Sequence, residues 1–332
     1  MKKIVSLFII LFLCFPISSF VIDVKEEFAE AGNSAERLTY LICGLDESAS
    51  NTDTMLLVSY DRSRDRIDFI HIPRDTFLMT STGAQKINSI LPGKLQAGSD
   101  ISEAIADLAS GVAEVLSIRL DGYFVYTVSA IEKIIDIFGG VEIELPFAIK
   151  GTDSSGTTIS LNEGKNRLSG REASVFLRHR KSYALGDLAR CDAQKIFLSA
   201  FLSEVERNMT IDTGLRLLAL RGEGMYSNVD FMPLVGFAVK NRGRIMKSSK
   251  NFSTIPGKAI VHNSTSYYVL NKAASGKLFL ETGLFSGNEV FDPAGMFTDA
   301  SIEKINDIYL SESIKYDLYD SNEVKDIKII RK

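Results

Sequence analysis

Two arginine-bearing stretches, far apart in the chain, hold the side chains best suited to chemistry. The first is Ile70-His71-Ile72-Pro73-Arg74-Asp75-Thr76. The second is Phe176-Leu177-Arg178-His179-Arg180, closed by Gly186-Asp187-Leu188-Ala189-Arg190. Each follows a run of apolar residues, which places it where a buried element reaches the surface. A guanidinium fork there matches the oxygens of a phosphate or carboxylate. Asp46 and Asp53 add two hard oxygen ligands, and Mg2+ is usually held by one or two carboxylates together with substrate phosphate and water. The combination points to a metal-associated oxyanion. Taken singly, the features have plainer readings. Aspartate is favoured in turns, an Arg74–Asp75 surface pair contributes little, and Arg178 with Arg180 makes an ordinary solvated basic turn.

The local sequence says how these groups are aimed. Pro73 fixes its own backbone and keeps the residue before it extended. Arg178 and Arg180 share a face only on extended backbone, because in a helix they diverge by roughly 200°. Their pairing therefore predicts that the chain leaves the helix before Arg178. Arg190 falls near the start of the next helix, where free N–H groups also favour anions. His179 alternates with the arginines and is expected to pack away from their target. Lys86, in Gln85-Lys86-Ile87-Asn88, is uninformative by itself.

The elements that must position them follow from apolar patterning. Strands are predicted at 38–45, 54–60 and 67–72, with 61–65 as a hairpin turn between the last two. Ile101, Ile105, Leu108, Val112 and Leu116 fall on one face of a helix over 101–116. A strand over 123–128 leads to an amphipathic helix over 129–138, ended by Gly139-Gly140. A further strand covers 141–145. Ser169-Gly170-Arg171-Glu172 is a capping box opening a helix that runs toward Leu177, and 189–205 is another helix. Alternating strands and helices predict a layered α/β domain.

Met1-Lys2-Lys3 followed by an apolar run from Ile4 reads as an export signal. Counted on to Ile22, the run approaches the roughly 20 residues needed to span a bilayer. Residues 1–22 are thus a signal or anchor segment, anchored in the cytoplasmic membrane through residues 4–22 or cleaved. Residues 23–37 form a juxtamembrane linker, 38–278 the main domain and 279–332 a C-terminal extension. The formal net charge of −4 shows no nucleic-acid footprint. Cys43 and Cys191 alone follow the leader; a disulfide between them is left open, and two lone cysteines make no disulfide framework. The three histidines, His71, His179 and His262, are far apart, and HExxH, GxSxG and the Walker loop are missing.

The ordered set Gly44-Leu45-Asp46, Thr52-Asp53-Thr54, Pro73-Arg74-Asp75-Thr76, Lys86-Ile87-Asn88, Phe138-Gly139-Gly140-Val141, Leu168-Ser169-Gly170-Arg171-Glu172, Arg178-His179-Arg180, Asp187-Leu188-Ala189-Arg190 and Gln194 resembles the LytR-CpsA-Psr family of cell-wall glycopolymer transferases. The resemblance spans roughly residues 38–278. It implies an extracytoplasmic enzyme with a central mixed β-sheet flanked by helices. Such an enzyme takes a polyprenyl-pyrophosphate-linked glycan, lipid in an apolar groove, and moves the glycan phosphate onto a peptidoglycan or other wall acceptor hydroxyl. By motif position, Asp46 and Asp53 become Mg2+ ligands. Arg74, Lys86, Arg178, Arg180, Arg190 and Gln194 become pyrophosphate contacts, and Asp75 joins Arg74 close to the chemistry. Three positions depart from the family pattern. Asn51 and Ala193 stand where arginines are common, and Lys195 where a second glutamine is. A non-catalytic polyprenyl-phosphate binder and a pyrophosphatase are the alternatives that such a site also allows.

Overall fold

The structure is a computed structural model that describes residues 37–153, 155–220, 223–229, 241, 243–285, 291, 298 and 302–332. The leader and all of the linker but Arg37 lie outside them. Among the described residues, no helix is long and apolar enough to cross a membrane.

Seven strands form the central sheet: β1 (Arg37–Leu45), β2 (Thr52–Asp61), β3 (Arg66–Ile72), β4 (Gly122–Tyr126), β5 (Met225–Ser227), β6 (Ser249–Thr254) and β7 (Leu318–Asp320), in the order β5-β4-β1-β2-β3-β6-β7. β1, β2 and β3 are an antiparallel meander. β4 joins β1 and β6 joins β3 in parallel, so the sheet is mixed. The meander strands read as almost continuous apolar runs because both faces are covered. Leu41, Leu57 and Ile70 are buried on one face, packed with Ile105, Leu108 and Val112 of helix α1 (Ile101–Leu116). Their neighbours Leu56, Val58 and Phe69 turn to the other face, as the two-residue period of a strand requires.

That second face is covered by α2 (Val128–Ile137), α3 (Gly170–Arg178) and α4 (Asp187–Asn208). The capping box at the start of α3 is present: Ser169 Oγ accepts from the Glu172 N–H, and Glu172 Oε2 accepts from the Ser169 N–H at 2.8 Å. Gly170 lets α3 touch α2, since a Cβ there would lie 2.1 Å from the Glu132 carbonyl oxygen. Gly170→Ala should therefore cost about 2–3 kcal/mol through overpacking, read as a lower urea midpoint. An unchanged midpoint would show that this contact is looser than described.

One expectation needs correcting. The chain does not leave the helix before Arg178. Arg178 is the last residue of α3, and His179 is the first extended one (φ −66°, ψ 136°). The Arg178 side chain folds back along its own helix so that its Nε donates to the Ser174 carbonyl at 3.1 Å. The three-residue strands β5 and β7 are too short, and β6 too polar, to carry a strand signal of their own; they are imposed by the edges they join. β7 belongs to the segment 279–332 and pairs with β6. The disulfide question also closes: Cys43 and Cys191 are both free and buried.

Candidate active site

Asp46 and Asp53 flank the turn between β1 and β2. Asp46 Oδ1 accepts from Ser48 Oγ at 3.0 Å, the Ser50 N–H at 2.9 Å and the Asn51 N–H at 3.2 Å. Its Oδ2 accepts from Asn51 Nδ2 at 3.1 Å. Burial opposes ionisation, but these bonds outweigh it and hold the carboxyl below its ordinary value. Asn51 thus supplies a clamp on Asp46 in place of a charge.

Arg74 leaves the end of β3 on a pinned backbone. The Thr76 N–H and Oγ1 both donate to the Pro73 carbonyl, at 3.0 and 2.6 Å. The Asn88 N–H donates to the Arg74 carbonyl at 3.2 Å, and the Tyr268 N–H to that of Asp75 at 2.8 Å. So fixed, Arg74 Nη1 bonds Asp53 Oδ1, and its Nε lies 3.5 Å from Asp187 Oδ1. From the first turn of α4, the buried Arg190 reaches the same pair. Its Nη2 is 2.7 Å from Asp187 Oδ1 and donates to the Asp53 carbonyl at 3.1 Å, and its Nη1 is 3.9 Å from Asp53 Oδ1. Two guanidinium groups and two carboxylates therefore interleave. Asp53 occupies a donor of the kind a phosphate would take, whereas Asp187 is held by charge alone, neither of its oxygens having a hydrogen-bond partner among the described residues.

Gln194, one turn on, donates to Thr54 Oγ1 at 2.9 Å and to the Leu177 carbonyl at 3.1 Å, tying β2, α3 and α4 together. Arg178 pairs with Glu47 and donates to the Thr152 carbonyl at 3.3 Å. Lys86 Nζ lies 2.9 Å from Asp75 Oδ1 and so meets the site through that carboxylate. Arg180 is exposed and joins none of these groups. His179 packs edge-on against Tyr183 with ring centroids 5.1 Å apart, in keeping with a packing role. Ala193 is fully buried, and Lys195 turns to Asp192 and Thr254.

Asp187 and His71 stand inside quoted stretches of the sequence but carry no role there. An aspartate opening a helix is unremarkable because it suits the helix dipole, and a lone histidine in a strand carries no signal. His71 is buried, and its Nδ1 has no hydrogen-bond partner among the described residues. Burial, with Lys195 and Arg190 nearby, lowers its pKa to about 3, against a smaller upward effect of a bond to the Ser253 backbone. The unfolded chain therefore takes up a proton on this residue near pH 6.5 that the fold refuses until about pH 3. Stability from this group is complete above the unfolded value and is lost as pH falls. The wild-type melting temperature should drop more steeply than that of His71→Asn between about pH 6.5 and 4.5. Parallel curves would show that His71 does not couple folding to protons.

A cavity of about 230 Å3 runs between the second face of the sheet and helices α2, α3 and α4. Ile42, Leu56, Phe69, Ile131, Ile134, Phe197, Leu198 and Leu202 make it apolar, and Asp53, Arg178 and Gln194 stand in its wall. An apolar chamber thus adjoins a charged cluster. Mg2+ fits the residues present in donor type: Asp46 and Asp53 offer hard oxygens. Among the described residues no group of three or more His, Cys, Asp or Glu side chains gathers as a metal nest, so most of the coordination shell would have to come from substrate and water.

The LytR_cpsA_psr family model matches residues 19–282. This chain belongs to the LytR-CpsA-Psr family. One family relative, the polyisoprenyl-teichoic acid–peptidoglycan teichoic acid transferase TagU of Oceanobacillus iheyensis, is 25% identical over 258 residues, covering 75% of this chain and 76% of TagU. Its namesake transferase TagV of Bacillus subtilis is 24% identical over 200 residues, 57% of this chain, which spans about half (49%) of TagV. The TagV crystal structure matches with a TM-score of 0.61 at 21% identity, covering 74% of this chain and 96% of that one. Protein gbs0355 of Streptococcus agalactiae matches with a TM-score of 0.65 at 16% identity, covering 79% and 93%. These structural likenesses establish a shared LytR-CpsA-Psr fold: a central mixed sheet flanked by helices.

Proposed function

We propose that this protein is an extracytoplasmic phosphotransferase, anchored through residues 4–22, that moves a glycan phosphate from a polyprenyl-pyrophosphate carrier onto a peptidoglycan hydroxyl. The observation that carries the reading is the apolar cavity with Asp53, Arg178 and Gln194 in its wall, beside Arg74 and Arg190. Such a site takes a prenyl chain and the pyrophosphate attached to it. Relatives named as teichoic acid transferases support the acceptor.

The acceptor oxygen forms a bond to the glycan-side phosphorus, and the bond from that phosphorus to the bridging oxygen breaks. Polyprenyl phosphate leaves with the bonding electrons. Charge builds on the bridging and terminal oxygens, where guanidinium donors stabilise it more than in the ground state. Arg74, Arg178 and Arg190 fill that role, with the Gln194 amide beside them. The acceptor hydroxyl gives up its proton to Asp75, the carboxylate held by Lys86 that we assign to the acceptor side. Mg2+, held by Asp46 and Asp53, would supply further charge neutralisation.

The test is incubation of the full chain in detergent with a short-chain polyprenyl-pyrophosphate glycan, with and without Mg2+ and wall fragments, followed by mass spectrometry. Glycan phosphate on the wall plus polyprenyl phosphate is the expected result. Free glycan phosphate regardless of wall would make it a pyrophosphatase. Tight binding without turnover would make it a sensor.

A further inference from the structure

The loop from α3 to α4 is not held by its own elements alone. The last residues of the chain pair with it: the Ala184 N–H donates to the Ile330 carbonyl at 2.8 Å, and the Lys332 N–H to the Ser182 carbonyl at 2.9 Å. Tyr183 and Arg331 are bridge partners in the antiparallel sense. Tyr183 and Ile329 turn inward and are buried in one core cluster. Side chains of such a ribbon alternate between its faces, which sends Ile330 outward.

That outer surface is unusual for this molecule. Five large apolar side chains are exposed among the described residues, and two of them belong to this ribbon: Ile330 (63%), whose carbonyl accepts from Ala184, and Leu185 (65%), the next residue along. Around them Arg180, Lys181, Lys328 and Lys332 are exposed, and none forms an ion pair with a described carboxylate. The carboxylates nearest along the chain are Asp326, in the turn before this segment, and Asp187, which faces Arg74 and Arg190. A chain of net charge −4 has thus gathered cations around two apolar tips. Single exposed leucines need no explanation. Apolar tips ringed by cations are the pattern of a surface that rests on an anionic bilayer, side chains in the acyl boundary and cations among the headgroups. The loop also leads directly from Leu177 and Arg178, which line the apolar cavity.

We propose that the ribbon of residues 180–185 and 328–332 is a membrane-docking surface that sets the domain down on anionic lipid beside its cavity. The inference rests on the exposed residues and stands apart from the transferase reading. It also gives Arg180 a place, at the rim of the site facing lipid.

The test uses the full chain in vesicles with Cys14→Ser and a nitroxide on Ile330→Cys, Cys43 and Cys191 being buried. Leu310→Cys, exposed on the helix Glu303–Leu310 that packs with the core of the first sheet face, serves as reference. In phosphatidylglycerol vesicles the label at 330 should lose collisions with a water-soluble nickel chelate by about threefold relative to phosphatidylcholine, while gaining collisions with oxygen. The label at 310 should not change. Lys328→Glu with Lys332→Glu should abolish the difference at 330. Equal accessibility at 330 and 310 in both lipids overturns the proposal. So does shielding that soluble poly(glycerol phosphate) produces and vesicles do not, which would mark a polymer-binding face. Turnover of the short-chain donor in detergent, read in parallel for the Lys328→Glu, Lys332→Glu variant, should match wild type.

Discussion

Arg74→Ala is expected to lower release of polyprenyl phosphate by about 10²–10³-fold, the usual effect of removing a donor aimed at developing charge. Arg74 is the better probe because it is partly exposed, whereas Arg190 is buried and its removal strands Asp187 without its closest partner. Removing Arg190 should cost stability as well, about 3 kcal/mol for breaking a buried charge pair from one side. Arg74→Lys should recover little. A single ammonium offers one point charge, whereas the guanidinium faces Asp53 from Nη1 and Asp187 from Nε at once. Time courses by mass spectrometry separate these cases. Wild-type turnover by Arg74→Ala would move the chemistry elsewhere.

Filling the cavity should separate long donors from short ones. Ile134 lines it from α2 and is only partly buried. A tryptophan there takes up space that a prenyl chain needs. Displacing about two methylenes from apolar surroundings costs about 1.6 kcal/mol, a little over tenfold in affinity. Ile134→Trp should therefore raise KM for a long-chain donor about tenfold while a donor of one or two isoprene units keeps its kcat/KM. Equal losses on both donors would mean that the chain lies outside this cavity.

Much of this was readable from residues, for reasons that differ by element. The meander and α1 announce themselves through period and apolar content, and α1 covers the residues its pattern gives. The α3 start follows from a capping box that works locally. β6 was invisible: Ser249-Lys250-Asn251-Phe252-Ser253-Thr254 becomes a strand only because β3 offers an edge. At the site, the nearness of Arg74, Asp53 and Arg190 rests on motif order together with strand adjacency. Asp187 was hidden behind its ordinary suitability for a helix start. The rule that Arg178 and Arg180 must share a face failed because Arg178 has partners, Ser174 and Glu47, that a helical residue can reach. With the helix intact, the two arginines part company.

The parallel pairing of β3 with β6 has a consequence for how the chain is made. Ser249 lies beside Arg66, so that ladder waits for more than 180 further residues to emerge. Meanwhile β3 presents a free edge bearing Ile67, Phe69 and Ile70, and unpaired strand edges of that kind recruit other chains. Pairings this distant in sequence form slowly. Nascent or truncated forms ending before residue 249 should thus be the aggregating species of this protein, and anything that shields the β3 edge during synthesis should raise the yield of folded chain.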